Sequence, residues 1–182
     1  MENHSLSEPE LLQRARHFEP QALAHIYDRF SPGLYRYAMR LLGDENLAED
    51  CVAETFTRFL ETLKAKGGPK MYLQAYLYRT SRNWIADHYR RKSSSEEVLR
   101  DEIKDERIGS EEKAEQVMEQ ERVRKALLKL TPDQQQVVVL KYLEGWKNEE
   151  IALALQKPIG AVKSLNHRAL GRLKRVFEKE KV

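Results

Sequence analysis

The sequence has a single cysteine among its 182 residues, so no disulfide can form within the chain and no cysteine zinc site can be built from it. Cys51 is most simply interpreted as a small buried apolar residue. Glycine and proline are sparse, with 8 and 6 residues, and no segment keeps the polar–apolar alternation of a half-buried strand. These absences exclude a disulfide scaffold and predict an all-α fold.

Long apolar runs are also missing, and none approaches the length of a membrane span. The amino-terminal segment, MENHSLSEPELL, lacks the basic start and apolar stretch of a signal peptide. We therefore expect a soluble, cytoplasmic protein without membrane insertion. The sequence contains no phosphate loop, paired-histidine zinc motif or nucleophile elbow, so we expect no enzyme activity, no cofactor and no metal.

Charge is spread unevenly along the chain. The net charge is only +3, but residues 93–120 contain ten acidic and four basic residues, which leaves +9 for the remainder. Two basic lobes therefore flank an acidic middle, and basic lobes attract polyanions. Solvated helix faces around a polar linker would give the same pattern. We predict two small helical domains, a first lobe at 1–92 and a second lobe at 119–182, joined by an acidic flexible linker at 93–118.

Helix signals divide the first lobe. Ser31-Pro32 is typical of an N-cap followed by proline at the first helical position, and Gly43-Asp44 is typical of one helix ending and the next being capped. After Asp44, apolar spacing predicts one buried helix face: Leu47, Cys51, Thr55, Phe56, Phe59, Leu60 and Leu63. A break at 66–69 precedes a long helix over 72–91, whose predicted inner face is Leu73, Tyr76, Leu77, Thr80 and Trp84.

The second lobe has the pattern of a helix-turn-helix. Thr131 and Gln134 form a capping box, and a short helix from Asn148 is followed by a last helix from Ile159 to about Phe177. The last helix has one apolar stripe: Val162, Leu165, Ala169, Leu173 and Val176. Its candidate DNA-contacting residues lie off this stripe: Lys163, Ser164, Asn166, His167, Arg168 and Arg172.

These side chains suit different parts of a duplex. Asn166 could pair with adenine, and Arg168 could contact guanine or phosphate. Lys163 and Arg172 suit the DNA backbone. A basic solvated helix in an ordinary bundle would give the same pattern, and the pattern alone leaves both interpretations open.

The combined spacing of three triplets favours a DNA-binding helix-turn-helix over an ordinary bundle: Glu150-Ile151-Ala152, Val162-Lys163-Ser164 and His167-Arg168-Ala169. With the leucine-rich helix and the Thr131-Pro132 segment before them, they resemble region 4 of bacterial RNA polymerase sigma factors over residues 127–175. The combination is specific, although no single triplet is.

The first lobe shows a second resemblance to the same family. Ala48-Glu49-Asp50 and Glu54-Thr55-Phe56 resemble the segment that docks on the clamp helices of the polymerase β′ subunit. Tyr76-Leu77-Tyr78-Arg79, with Asn83, Asp87 and Arg90-Arg91, resembles the segment that recognises and opens the −10 promoter element. Both matches occur in family order with nothing before or between them, which resembles the minimal, extracytoplasmic-function group.

The resemblance implies a sigma factor with two DNA-binding surfaces and a polymerase-binding surface. Its implied partners are promoter DNA and core RNA polymerase, through the β′ clamp helices and the β flap, and it leaves an anti-sigma factor open as a further partner. The polymerase-binding candidates are Glu49, Asp50 and Glu54. The −10 candidates are Tyr72, Arg79, Arg82, Asn83, Asp87, Arg90 and Arg91, and the −35 candidates are those of the last helix.

Alternatives exist for several of these residues. Asp50 and Glu54 also fit solvated helix charges. Asn83 and Asp87 fit residues that orient the arginines or touch a base, and Asn83 equally fits a structural amide. Tyr72, beside the loop at 64–71, fits a wall that stacks on an unpaired base or plain core packing. We expect Trp84 in the core.

The chain also departs from the family pattern. Ala53 replaces a common glutamine, Gln156 a common glycine in the helix-turn-helix turn, and Ala161 a common threonine. Gln156 requires either a different turn or a strained one.

Two other classes of protein are alternatives. A dimeric helix-turn-helix regulator that never joins polymerase would explain only the second lobe. A metal-dependent nuclease using Asp87 and His88 is disfavoured, because adjacent helix residues point about 100° apart.

Overall fold

The computed structural model describes residues 7–94 and 111–179. Within these ranges the chain is helical and has no strand, which confirms the all-α prediction. The helices are α1 (Glu8–Arg16), α2 (Pro20–Leu42), α3 (Glu45–Lys64), α4 (Leu73–Ser94), α5 (Glu111–Leu128), α6 (Pro132–Val138), α7 (Asn148–Leu155) and α8 (Ile159–Lys179). The first lobe contains α1 to α4, and the second lobe contains α5 to α8.

The α2–α3 corner is built by the two predicted residues. Gly43 has φ +67°, a left-handed conformation that ends α2. The Asp44 side chain accepts a hydrogen bond of 2.9 Å from the Leu47 N–H and caps α3. The predicted turn and cap are confirmed, and they direct α3 back along α2.

The prediction of a helix start at Ser31-Pro32 is wrong, because α2 runs unbroken from Pro20 to Leu42. Proline has no N–H, so α2 lacks one backbone hydrogen bond at Pro32. Phe30 and Leu34, on either side of the proline, are both buried in the core. The burial of a continuous apolar face outweighs the lost hydrogen bond.

The predicted buried face of α3 is largely confirmed. Cys51, Thr55, Phe56, Phe59 and Leu63 are buried, whereas Leu60 is 37% exposed and its predicted burial is wrong. The Thr55 and Ser81 hydroxyls lie 2.8 Å apart at the buried α3–α4 contact. Burial raises the pKa of the Cys51 thiol to about 12, as expected for a cysteine that packs as a small apolar residue.

The second lobe begins earlier than predicted. α5 starts at Glu111, so its first turns occupy part of the segment predicted as linker, and residues 95–110 of that segment lie outside the described residues. The Thr131–Gln134 capping box is present at the start of α6. A π-helical turn, Val139–Leu143, continues α6.

Of the two turns predicted for Gln156, a different turn or a strained one, the structure has the strained turn between α7 and α8. Gln156 ends α7 with φ +53°, the conformation that a glycine would adopt without strain. The chain thus keeps the helix-turn-helix geometry without the glycine.

The two lobes pack against each other through α5, which lies on α2, and through α6 and α7, which lie on α4. The Arg124 guanidinium of α5 donates to the Tyr89 hydroxyl of α4 over 3.2 Å. That hydroxyl in turn donates to the Leu41 carbonyl of α2 over 2.5 Å. Polar contacts therefore link α2, α4 and α5.

None of the described helices is both long enough and apolar enough to cross a bilayer.

Candidate nucleic-acid interface

The last helix, α8, docks by its apolar stripe as predicted. Val162 and Ala169 are buried, and Leu165 and Leu173 pack against the core from half-buried positions. The following candidate residues are exposed on the remaining surface: Lys163, Ser164, His167, Arg168 and Arg172. A docked helix with an exposed polar amino-terminal half has the form that enters a major groove.

Asn166 differs from the other candidates on α8. It is half-buried, and its Nδ2 donates to the Tyr142 hydroxyl over 3.2 Å. Its Oδ1 is buried and has no hydrogen-bond partner among the described residues. Pairing with adenine uses both amide atoms, so Asn166 would have to leave Tyr142 before it could make the predicted contact.

One flank of α8 lines a basic cleft of about 330 Å³. The cleft is lined by Gln134, His167, Arg168, Gly171, Arg172 and Arg175. Arg175 was not among the predicted residues, although its spacing from Arg168 and Arg172 places it on the same helix face. The positive charge of α8 therefore extends beyond the predicted recognition residues.

On α4, the predicted −10 residues form local pairs. The Arg79 guanidinium lies 5.9 Å from the centre of the Tyr76 ring, and Asn83 Oδ1 accepts a hydrogen bond of 2.8 Å from Arg82. Asp87 pairs with Arg90 one turn later. Asn83 and Asp87 thus each contact an arginine of the same helix, and their roles toward DNA stay predictions. Arg91 is exposed at the end of the helix.

Arg82 lies at the contact between the lobes, with only 18% of its side chain exposed. Its Nη1 lies 2.8 Å from Oδ1 of Asp133 in α6, and Lys157 Nζ lies 3.2 Å from the other carboxylate oxygen. Burial by itself would raise the pKa of the Asp133 carboxyl, but hydrogen bonds and charges from Lys157 and Arg82 outweigh it and lower that pKa. The ionised carboxylate therefore pairs with both cations.

The predicted pocket wall is a strained, exposed tyrosine. Tyr72 is 42% exposed and has φ +59°. The α3–α4 loop around it also has positive φ at Lys66 and Gly68. Non-glycine residues in this conformation are uncommon and concentrate at functional sites. Because its ring is exposed, Tyr72 is not the core residue of the alternative interpretation.

Trp84 and His88 stack in the second half of α4. Their ring centres lie 5.6 Å apart with nearly parallel planes, and Trp84 packs against the core as predicted. Burial lowers the pKa of His88, and the charges of Lys92 and Arg91 lower it further. Asp87 and His88 thus engage different neighbours, as their divergent directions on the helix predicted.

The acidic candidates lie on the outer surface of α3. Glu49 and Asp50 are exposed, and Ala53, the departure from the family pattern, is exposed beside them. Glu54 is half-buried and accepts a hydrogen bond of 2.7 Å from Arg58 Nε. Two carboxylates are therefore openly presented, and the third is shared with an arginine of the same helix.

Comparison with known proteins identifies both lobes. The family model for sigma-70 region 2 matches residues 26–95, and the model for sigma-70 region 4 matches residues 120–173. The chain is 32% identical to the ECF RNA polymerase sigma factor BldN of Streptomyces coelicolor over 92% of its length, and it spans 65% of BldN. It is 32% identical to the RNA polymerase sigma-E factor of the same organism over 78% of its length and 77% of that relative.

A solved structure has the same fold. CnrH, determined in complex with the cytosolic domain of CnrY, matches 94% of this chain and 97% of its own with a TM-score of 0.69 and 23% sequence identity.

Proposed function

Because the chain belongs to the sigma-70 family of RNA polymerase sigma factors, in its extracytoplasmic-function group, we propose that it binds core RNA polymerase and directs transcription initiation at specific promoters. The observation that carries this proposal is the presence, in one chain, of exposed carboxylates on α3, an arginine-rich α4 and a docked recognition helix α8. Its role is that of a non-enzymatic initiation factor in the cytoplasm, where its polymerase and DNA are.

The two lobes have separate tasks in this proposal. The first lobe, residues 1–92, binds polymerase and acts on the −10 element, and the second lobe, residues 119–182, binds the −35 element and the β flap. Residues 93–118 connect them. An anti-sigma factor is a further expected partner, and the similarly folded CnrH was solved with a bound protein partner.

Glu49 and Asp50 supply the acidic contact with the β′ clamp helices. Glu54, which already accepts from Arg58, contributes when it also accepts from a polymerase arginine.

We expect Asp50→Asn to lower the affinity for core polymerase by about tenfold, the size of one charge-assisted hydrogen bond. Fluorescence anisotropy with labelled protein and purified core measures it. Glu61→Gln is the matched control, because Glu61 is an exposed acid later on the same helix. Equal affinities for the two variants would contradict the docking surface.

Recognition of the −35 element is assigned to the amino-terminal half of α8. Arg168 and Ser164 suit base edges, while Lys163, His167 and Arg172 suit phosphates; Asn166 takes part only after it separates from Tyr142. We expect Arg168→Gln to weaken the use of particular −35 sequences. Lys163→Gln should weaken all of them and reduce the slope of log affinity against log salt by about 1.

A promoter library transcribed by the reconstituted holoenzyme measures both effects. Identical losses across all promoters for both variants would exclude Arg168 as a base contact.

Opening of the −10 element is assigned to α4 and the loop before it. Arg79, Arg90 and Arg91 suit phosphates, and the exposed Tyr72 ring offers a surface on which an unpaired base can stack. Asn83 and Asp87 orient Arg82 and Arg90. Arg82 can contact DNA only when its pair with Asp133 opens, so a DNA contact by Arg82 requires the lobes to separate at this point.

A further inference from the structure

The loop between α3 and α4, residues 65–72, adopts an unusual conformation next to the exposed ring of Tyr72. Lys66 and Tyr72 have φ of +58° and +59°, and Gly68 has φ +95°. The left-handed conformation is strained for an L-residue, so it persists only where surrounding contacts hold it.

Two side chains of α1 hold the far end of the loop. Arg16 Nη2 donates a hydrogen bond of 3.0 Å to the Pro69 carbonyl. Glu8 Oε1 accepts a hydrogen bond of 3.1 Å from the Leu73 N–H. The near end is held separately, since the Gly67 N–H donates to the Thr62 carbonyl over 2.9 Å. α1 therefore contacts the loop on both sides of Tyr72.

The contact with Glu8 has a specific chemical reason. The first N–H groups of a helix have no partner inside it, and Tyr72, which precedes α4, has no short side-chain acceptor to cap them. Glu8 supplies the missing acceptor from another helix, and a carboxylate is favoured there by the helix dipole. The Leu73 N–H is thereby fixed, and the backbone of Tyr72 is fixed next to it.

α1 itself is anchored independently of the loop. Leu11, Leu12 and Ala15 are buried in the core of the first lobe. Glu10 accepts from the Ser7 N–H over 3.0 Å at the start of α1. A rigid helix therefore presents Arg16 and Glu8 to a strained loop.

We propose that Glu8 and Arg16 are positioning residues that hold the α3–α4 loop, and Tyr72 with it, in the conformation that receives an unpaired promoter base. They touch the loop and not the DNA. This inference rests on the proposed role of Tyr72 at the −10 element and assigns a task to α1, which lies before the segment that resembles sigma region 2.

The test uses full-length protein in holoenzyme and a promoter selected with that holoenzyme. An abasic site is placed at each −10 position in turn, and the rate of opening is followed by the fluorescence of 2-aminopurine in the −10 element. The quantity compared is the ratio of the opening rate of the intact promoter to that of the abasic promoter. For wild type, this ratio should exceed 1 at one abasic position. Arg16→Ala and Glu8→Ala should shrink that ratio toward 1 and slow opening of the intact promoter by about tenfold, with unchanged affinity for core polymerase.

The controls separate positioning from loss of stability. Arg14 lies on the same helix as Arg16 and forms an ion pair of 2.6 Å with Glu19, which follows that helix. Arg14→Ala should keep the wild-type ratio. Arg16→Lys retains a hydrogen-bond donor and should keep most of the wild-type ratio. Arg16→Lys and Glu8→Ala also keep the test decisive if Arg16→Ala does not fold.

Tyr72→Ala distinguishes the two levels of the proposal. If it abolishes the ratio while Arg16→Ala and Glu8→Ala leave it unchanged, the positioning role is overturned and the −10 role stands. If all three variants keep the wild-type ratio, the loop does not receive the base, and both are overturned.

Discussion

Gln156 shows how one residue accommodates a departure from the family pattern. The turn between α7 and α8 needs a left-handed residue, and the chain places a glutamine there with φ +53°. The strain was one of two outcomes predicted from the sequence. At Gly145, before α7, glycine occupies the same conformation with φ +73° and open space around it.

These two positions allow a matched pair of substitutions. We expect Gln156→Gly to raise the free energy of unfolding by about 0.5–1 kcal/mol, because relief of left-handed strain exceeds the extra chain entropy of glycine. Gly145→Ala should lower it by about 1 kcal/mol for the converse reason. Urea denaturation followed by circular dichroism measures both, and a less stable Gln156→Gly protein would contradict the assignment of strain.

At the scale of an element, α2 shows the limit of local signals. Ser31-Pro32 has the composition of a helix start, yet α2 passes through it because residues on both sides are buried. α3 shows the opposite case, in which the Gly43-Asp44 signal is correct because no apolar face continues across the corner. A local signal ends a helix where packing permits it.

Pro32 provides the corresponding test. It is exposed, so Pro32→Ala should restore a helical N–H without disturbing the core and stabilise the protein by about 2 kcal/mol, after allowance for the more flexible unfolded chain. Gly33→Ala should destabilise it, because a Cβ there would lie 2.7 Å from the Tyr78 hydroxyl oxygen. Thermal denaturation compares them, and a lower melting temperature for Pro32→Ala would argue that the proline relieves strain in α2.

At the scale of the whole molecule, the lobes share polar contacts that involve a predicted DNA-binding residue. Asp133 of the second lobe pairs with Arg82 of the first and with Lys157. In the proposed promoter complex, a DNA phosphate would take the place of this carboxylate beside Arg82. We therefore propose that separation of the lobes and DNA contact by Arg82 are coupled through Asp133.

We expect Asp133→Asn to increase the separation of the lobes at neutral pH, because a neutral amide attracts Arg82 more weakly. The pKa of the Asp133 carboxyl is lowered from about 3.8 in the folded protein. The stabilisation of the packed lobes by the Asp133 pair is therefore complete above about pH 3.8, and it is lost as the pH falls through the lowered pKa. Energy transfer between dyes on the two lobes measures the separation. Asp28→Asn, an exposed acid on α2, should change nothing, and equal behaviour of both variants would show that the Asp133 pair does not hold the lobes.

Short-range features of this protein follow from the amino-acid sequence alone. The helical class, the cap at Asp44, the Thr131–Gln134 box and the docking stripe of α8 depend on residues a few positions apart, whose spacing and backbone preferences are local properties. The resemblance to sigma factors has the same origin, because its motifs are short and ordered.

Other features depend on residues that are distant in the chain. Asn166 meets Tyr142 across 24 residues, Arg82 meets Asp133 across 51, and Arg16 meets Pro69 across 53. No periodicity relates such partners, since packing of whole helices brings them together. Tertiary structure therefore decided which candidate side chains are exposed for DNA, which are already paired, and which helix holds Tyr72 in place.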